Sequence, residues 1–217
     1  MPYTEQSYIG LSSAGFHNII YNDWGPKDGP IIVAVHGITC NRHDFDPLAR
    51  ALAQDGYRFI AVDLPGRGGS DNLLNPMDYT VPYYATCITT LFAHLGITEA
   101  KSVDYLGVSL GGLIGIVLAS IPDTPIKRFI INDVGPAIPD EMLTYIGEHI
   151  LKPSSFETVQ DLENDMRNNI RIGWGDIPDE LWHEMAEHGS RALDDGSITY
   201  NYDPAIAIPF NAALETP

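Results

Sequence analysis

The stretch V-D-Y-L-G-V-S-L-G-G, which begins at Val103, constrains the fold of this chain more than any other segment. Its first residues are typical of a short buried strand, and the apolar run that follows, residues 110–120, has the length of a helix. The G-x-S-x-G between them places small residues on either side of a sharp bend, so strand and helix can pass closely. The pattern therefore predicts a strained turn at Ser109 and makes this serine the candidate nucleophile.

The rest of the chain alternates strand and helix patterns around this turn. Ile31–His36, Arg58–Asp63 and Arg128–Asp133 are apolar or β-branched runs that predict buried parallel strands. Amphipathic patterns over Phe45–Gly56 and Tyr83–Leu95 predict helices between them. The residues predicted to share one apolar face are Phe45, Leu48, Leu52 and Ala53 in the first helix, and Tyr84, Ile88, Leu91 and Leu95 in the second. This alternation predicts an open, mostly parallel sheet with helices on both faces and a site at the carboxyl ends of its strands.

Two further segments lie outside this alternation. Residues Ser7–Trp24 alternate apolar and polar side chains around a Ser-Ser-Ala-Gly turn, which predicts an antiparallel hairpin at the start of the sheet. Beyond residue 136, three amphipathic stretches interrupted by prolines predict additional helices over Asp140–Leu151, Ser155–Asn168 and Pro178–His188.

Four motifs in a fixed order point to a known family. They are H-G-I-T at 36–39, D-L-P-G-R-G-G-S-D at 63–71, G-V-S-L-G-G at 107–112 and N-D-V-G-P at 132–136. In these motifs and their spacing, nearly the whole chain resembles the α/β-hydrolase family. The resemblance implies an α/β-hydrolase fold with a helical cap insertion. It also implies a serine hydrolase whose oxyanion hole is formed by the backbone N–H groups of Ile38 and Leu110, on a loop supported by His36 and Gly37.

The predicted domain organisation follows from this resemblance. Residues 1–136 would form the hydrolase core, 137–205 the helical cap, and 206–217 a return towards the core. Six aromatic residues of the cap either line a cavity over Ser109 or fill the cap's own small core: Tyr145, Phe156, Trp174, Trp182, Tyr200 and Tyr202.

A serine nucleophile needs a base within hydrogen-bond reach and an acid that orients the base. The family's chain order implies that the acid usually follows a later strand and the histidine lies near the C terminus. The segment N-A-A-L-E-T-P at 211–217 stands where that later strand is due. We therefore expect this chain to lack the C-terminal strands and helices of the fold, together with the general base, and to be a fragment of a longer enzyme.

Candidate triad partners within the chain are few. Asp133 follows the strand after the nucleophile helix, a position from which some family members supply the triad acid, and its alternative role is structural. His43 is the other histidine close to the predicted oxyanion loop in sequence. The remaining histidines, His17, His94, His149, His183 and His188, are expected to be surface or cap residues.

Composition excludes several classes of function. The formal net charge is −17, and residues 137–205 contain 15 Asp and Glu against 4 Lys and Arg, which disfavours nucleic acid as a partner. No apolar run reaches bilayer length and residues 1–8 lack a signal-peptide profile, so we expect no membrane partner and a cytoplasmic protein. Cys40 and Cys87 have no metal-ligand spacing, so no metal or cofactor is expected and both thiols should be reduced.

These observations predict the hydrolysis of a small carboxylic ester or lactone through an acyl-enzyme on Ser109, with a small-molecule ester as the partner. The sequence does not identify the ester or the oligomeric state. One alternative is a catalytically inactive α/β-hydrolase-like binding protein. A second is a carbon–carbon bond hydrolase, although such relatives usually have Asn where this chain has Val108. Dehalogenases and epoxide hydrolases place Asp at the nucleophile position, so Ser109 argues against both.

Overall fold

The computed structural model describes residues 2–135, 137–139, 141, 143–144, 146–147, 154–170 and 175–209. Its main sheet has six strands in the order β1-β2-β4-β3-β5-β6. The strands are β1 (Thr4–Ser12), β2 (Gly15–Trp24), β3 (Ile31–Val35), β4 (Arg58–Val62), β5 (Val103–Val108) and β6 (Ile126–Asn132). The first three in spatial order pair antiparallel, and β4, β3, β5 and β6 are mutually parallel. The predicted hairpin and the mostly parallel sheet are confirmed.

Helices cover both faces of this sheet. The side chains of β3 therefore alternate between two hydrophobic cores, one on each face. Val33 and Val35 join the core beneath α2 (Val81–His94) and α3 (Leu110–Ala119). Ala34 joins the opposite core, which is closed by α1 (Asp46–Gln54). Parallel strands that are buried on both faces are near-continuous apolar runs. This explains the wholly apolar sequence of β3.

One residue of the predicted apolar face of α1 is exposed. Leu48 of α1 is 42% exposed, whereas Phe45, Ala49 and Ala53 form the buried face of this helix. Leu48 lines a groove of about 1070 Å³. The groove borders β5 and β6 and leaves the side chain in contact with solvent. In α2 the predicted face is confirmed, with Tyr84, Ile88 and Leu91 buried and Leu95 packed at its margin.

The far edge of the sheet is open in the part of the chain that the structure describes. There β6 pairs with β5 alone, and Ile130 is 62% exposed. Asp104 and Arg128 form an exposed ion pair across the two strands. The groove bordering α1 runs along this edge, so both the sheet face and the last strand remain uncovered there.

A second unit, which we call the helical segment, comprises residues 154–170 and 175–209. It contains α4 (Val159–Asp165), a π-helical turn (Met166–Ile170), α5 (Asp179–His188), the short strands β7 (Ser190–Ala192) and β8 (Ile198–Tyr200), and a 3-10 turn (Pro204–Ala207). Its own core is Leu162, Met166, Trp182, Ala186 and Tyr200, with Phe156 and Tyr202 packed against it. The described aromatic residues therefore fill this core, and Tyr145 and Trp174 lie outside the described residues.

The helices of this segment begin and end for local reasons. Thr158 caps α4 in a capping box with Asp161, so the helix starts after the predicted Ser155. Phe156, which precedes Thr158, is not helical, because it forms a β-bridge with Ile198 through two backbone hydrogen bonds of 2.8 Å. The prediction over Pro178–His188 is confirmed as α5, and most of the predicted helix over Asp140–Leu151 lies outside the described residues. No helix among those described is long and apolar enough to cross a bilayer.

Candidate active site

Ser109 lies at the bend between β5 and α3, as the sequence predicts. Its backbone has φ 48° and ψ −111°, a region that non-glycine residues rarely occupy. The Ser109 N–H donates to the carbonyl of Asn132 on β6 at 2.8 Å, and its own carbonyl accepts from Leu113 at 3.1 Å. These bonds hold the backbone in the strained conformation and leave the side chain at the carboxyl edge of the sheet.

The two glycines of the motif are required by close backbone approach. A Cβ at Gly107 would meet the Gly111 carbonyl, and a Cβ at Gly111 would meet the Val35 carbonyl, both well inside 3.0 Å. Any larger residue would force β5 and α3 apart. The glycines therefore fix how near α3 lies to the end of β3, where the candidate oxyanion loop begins.

That loop lies against the serine. A Cβ built on Gly37 would be 3.6 Å from the Ser109 Cβ, so the backbone leading into Ile38 passes beside the candidate nucleophile. Leu110 is the first residue of α3, so its N–H has no acceptor within the helix. The Gly111 N–H donates to the His36 carbonyl at 3.2 Å and joins the helix to the loop.

His36 holds the candidate oxyanion loop in place through both of its ring nitrogens. Its side chain is buried, with Nδ1 donating to the Gly37 carbonyl at 2.7 Å and Nε2 accepting from the Leu64 N–H at 3.0 Å. Burial lowers the pKa of His36 below 6.5, so the ring is neutral at pH 7. Because both ring nitrogens are engaged, His36 has no free nitrogen with which to accept a proton from Ser109.

Arg67 is a site residue that the sequence reasoning missed. Its side chain is 1% exposed; Nε donates to the Ile38 carbonyl at 3.0 Å, and Nη1 donates to the Pro65 carbonyl and the Tyr84 hydroxyl. The guanidinium also lies 5.1 Å from the centre of the Tyr84 ring. The sequence feature that could have indicated this role is the position of Arg67 inside the glycine-rich loop that follows β4.

Asp133 directly follows the strand residue that accepts from Ser109. It has φ 58°, is exposed, and lines the end of the open groove together with His36 and Gly37. Among the described residues, Ser109 is not part of that lining. The groove therefore follows the sheet face, and Asp133 lines its end while Ser109 does not.

No described histidine forms a hydrogen bond to Ser109. His17, expected at the surface, is buried against α2 with Nε2 2.9 Å from the Tyr83 hydroxyl, because the hairpin curls over that helix. His94 is exposed and stacks on Tyr8, and His183 lies 3.3 Å from Glu163. The expected location of His149 stays a prediction, because this residue lies outside the described chain.

His43 and His188, from distant parts of the chain, stack on each other. Their ring centroids are 3.8 Å apart with an interplanar angle of 8°, and His43 Nδ1 lies 2.8 Å from Asp46 Oδ2. Burial and the neighbouring His43 lower the pKa of His188. No sequence pattern indicates this pairing, because the two histidines are separated by most of the chain.

The helical segment rests on the loops that follow β3 and β4. Asn41 Nδ2 donates to the His188 carbonyl at 3.1 Å, beyond the candidate oxyanion loop. On the other loop, Gly68 N–H donates to Asn201 and Asp203 N–H donates to Gly66. Tyr79 adds a hydroxyl bond of 2.7 Å to the Asp203 carboxylate. The segment thus contacts the carboxyl edge of the sheet, the edge that carries Ser109.

Comparison with known proteins agrees with this geometry. Residues 30–149 match the family model described as alpha/beta hydrolase fold. The chain is 35% identical over 207 residues to the 3-hydroxybutyrate-oligomer hydrolase of Cupriavidus necator, covering 92% of this chain and 68% of that protein. It is 27% identical over 177 residues to the bifunctional esterase/perhydrolase DCH of Acinetobacter calcoaceticus, covering 82% of this chain and 61% of the relative.

Solved structures give the same result. A putative hydrolase from Rickettsia typhi has a TM-score of 0.86 at 31% identity and covers 96% of this chain and 74% of its own. An alpha/beta hydrolase from Novosphingobium aromaticivorans has a TM-score of 0.83 at 29% identity, covering 97% and 72%. The chain belongs to the α/β-hydrolase family. This is a family of enzymes, and these relatives are named hydrolases and esterases.

Proposed function

We propose that Ser109 is the nucleophile of a hydrolase that cleaves small carboxylic esters through an acyl-enzyme. The observation that carries this proposal is the strained Ser109 at the first turn of α3, with the backbone of Gly37 packed against it. A strained serine between a helix N-terminus and a loop of backbone amides is the arrangement that acyl transfer requires. Neither packing nor stability needs a non-glycine residue at this φ and ψ.

In the proposed reaction, Ser109 Oγ attacks the ester carbonyl and its proton passes to a general base. The backbone N–H groups of Ile38 and Leu110 hold the charge that develops on the carbonyl oxygen. The alcohol leaves with a proton, and water then releases the carboxylic acid from Ser109. His36 and Arg67 act as positioning residues, since they bond the carbonyls of Gly37 and Ile38 rather than the substrate.

We assign the acid of the triad to Asp133. Its place after β6 brings it next to Asn132, whose carbonyl already bonds Ser109. The described histidines leave the base position unfilled, so the proposal locates the base outside the described residues. An enzyme without that base would retain only the slower reaction that the oxyanion hole supports.

The substrate class is argued from the relatives and from the helical segment. One relative is named for 3-hydroxybutyrate oligomers and another is named an esterase. We propose short aliphatic hydroxyacyl esters as the substrates to test first. The helical segment serves as the cap in this proposal, because its contacts lie on the loops around Ser109.

Labelling with a fluorophosphonate probe, followed by peptide mapping, tests the nucleophile. In protein isolated from its native source, which carries the base, we expect one adduct on Ser109 and hydrolysis of p-nitrophenyl butyrate and of 3-hydroxybutyrate dimer. Ser109→Ala should lower turnover by about 10⁴-fold or more and abolish labelling. Ser120→Ala is the matched control, because this exposed serine ends the same helix.

The inactive binding protein is the second candidate, favoured by the unfilled base position among the described histidines. It predicts that the ester binds with no label on Ser109 and no release of alcohol. Equilibrium binding of a non-hydrolysable ether analogue separates the two functions. Analogue binding with neither labelling nor turnover, in protein isolated from its native source, would replace the hydrolase proposal with this one.

A further inference from the structure

His43, Asp46 and His188 bring three metal-ligating side chains together away from Ser109. The first two lie on the core, in the 3-10 turn Arg42–Phe45 and at the start of α1, and His188 ends α5 of the helical segment. One possible ligand atom from each residue lies within 4.8 Å of the others. The side chains of His43 and Asp46 are about nine-tenths buried.

One oxygen in this cluster lacks a partner. Asp46 Oδ2 is close to His43, but Asp46 Oδ1 is buried without a hydrogen-bond partner in the described structure. Asp46 as a whole is 7% exposed. A buried carboxylate oxygen without a donor is costly, and a bound cation would satisfy it.

Neighbouring carboxylates offset the positive charge of Arg42 in this cluster. Arg42 disfavours a positive charge at His188, but its guanidinium is paired with Asp63 and with Glu5 at 2.5 Å. Glu187, next to His188, adds negative charge on the cap side. The local field is therefore compatible with a divalent ion.

We propose that His43, Asp46 and His188 bind one divalent transition-metal ion, with zinc as the best fit. Two imidazoles and one carboxylate form a common zinc ligand set and leave a fourth position for water. Tetrahedral zinc at about 2.1 Å from each ligand needs ligand atoms about 3.4 Å apart. The ligand atoms now lie within 4.8 Å of one another, so metal binding requires the stacked rings of His43 and His188 to turn apart and the three atoms to move closer.

Such an ion would link the two units of the molecule. His188 belongs to the helical segment, whereas His43 and Asp46 belong to the core, so the metal would fasten one to the other. The attachment lies beside the bond from Asn41 to the His188 carbonyl. Bound zinc should therefore raise the melting temperature and protect the end of α5 from hydrogen exchange.

Zinc chloride titrated into chelator-treated protein tests the site, with calorimetry for stoichiometry and the visible spectrum of Co²⁺ for geometry. The experiment uses Ser109→Ala protein, so its outcome is independent of the proposed esterase activity. We expect one ion per chain with micromolar affinity or tighter. His188→Ala and Asp46→Asn should each weaken binding about 100-fold.

His94→Ala is the control, because this exposed histidine lies far along the chain from the cluster and stacks on Tyr8. His188→Ala changes a residue that is exposed as a whole, and melting in chelator verifies that the variant folds. Unchanged zinc affinity in both His188→Ala and Asp46→Asn would overturn the proposal, as would the lack of saturable binding at millimolar zinc.

Discussion

At the scale of single residues, the candidate site depends on side chains that hold backbone groups in place. His36 does this with both ring nitrogens, and it must remain neutral to do so. Its burial lowers the pKa of the folded state, whereas the unfolded chain keeps a value near 6.5. Below that pH the unfolded state binds a proton that the folded state does not bind, so acidification favours unfolding.

The free energy of unfolding should therefore fall as pH decreases from about 7 to 5, with part of the slope due to His36. His36→Gln removes the titrating group and should flatten this dependence, while costing about 1–3 kcal/mol at pH 7 through its disturbed hydrogen bonds. Urea unfolding across this range measures both effects. His188 titrates in the same direction but is present in both proteins, so the difference isolates His36. Parallel slopes would show that His36 does not contribute.

At the scale of elements, the approach of α3 to the ends of β3 and β5 sets the geometry around Ser109. Gly111 lies where the helix passes the Val35 carbonyl, with no room for a side chain. Gly111→Ala should destabilise the protein by about 3 kcal/mol or more, because the clash is with backbone that cannot rotate away. Thermal melting measures this change.

Gly135→Ala provides the control for that substitution, because its added Cβ would meet its nearest atom, the Ala137 carbonyl, at 3.8 Å. It should change stability by less than about 1 kcal/mol. Equal losses in the two variants would mean that close packing of α3 on the strands is not what requires glycine at 111.

The sequence predicted those elements that local patterns determine. The strand–glycine–serine–glycine–helix pattern located the bend at Ser109, and continuous apolar runs identified the parallel strands. Leu48 lies on the predicted apolar face of α1 but is exposed, because helical periodicity gives the face and cannot tell which part of it the sheet covers. His17 was misassigned because its burial arises from the hairpin curling over Tyr83, a contact between distant segments.

Polar contacts between distant parts of the chain could not be predicted from the sequence. Arg67 lies in a loop that was recognised as a motif, but its bond to the Ile38 carbonyl depends on how two loops meet at the sheet edge. The stacking of His43 on His188 requires the helical segment to fold back onto the core. Neither contact has a periodicity or spacing that a single sequence could reveal.

At the scale of the whole molecule, the edge at β6, which no further described strand covers, is the feature with the clearest consequence in solution. Unpaired strand edges with exposed apolar side chains promote association between chains. The 217-residue chain should therefore self-associate as its concentration rises, and Ile130→Lys should weaken this association. Sedimentation velocity measures the shift, and stability should change by less than about 0.5 kcal/mol.

Leu74→Lys is the matched control, because Leu74 is 83% exposed but lies in a loop bonded to the β1–β2 hairpin, at the opposite end of the strand order from β6. It should leave the association unchanged. Equal reductions in both variants would indicate that charge alone controls the association, and a monomer at every concentration would contradict the prediction.

The loop containing Arg67 touches two partners at once: the guanidinium bonds the Ile38 carbonyl, and the flanking glycines bond Asn201 and Asp203 of the helical segment. A chimaera in which a relative's segment replaced the helical segment would change the residues that contact this loop. Because Arg67 bonds the Ile38 carbonyl, it would also change the position of Ile38. Grafts intended to alter substrate preference should therefore include residues 64–70 with the segment. Otherwise the graft would change two properties together, namely the ester that binds and the strength with which the proposed oxyanion hole binds its carbonyl oxygen.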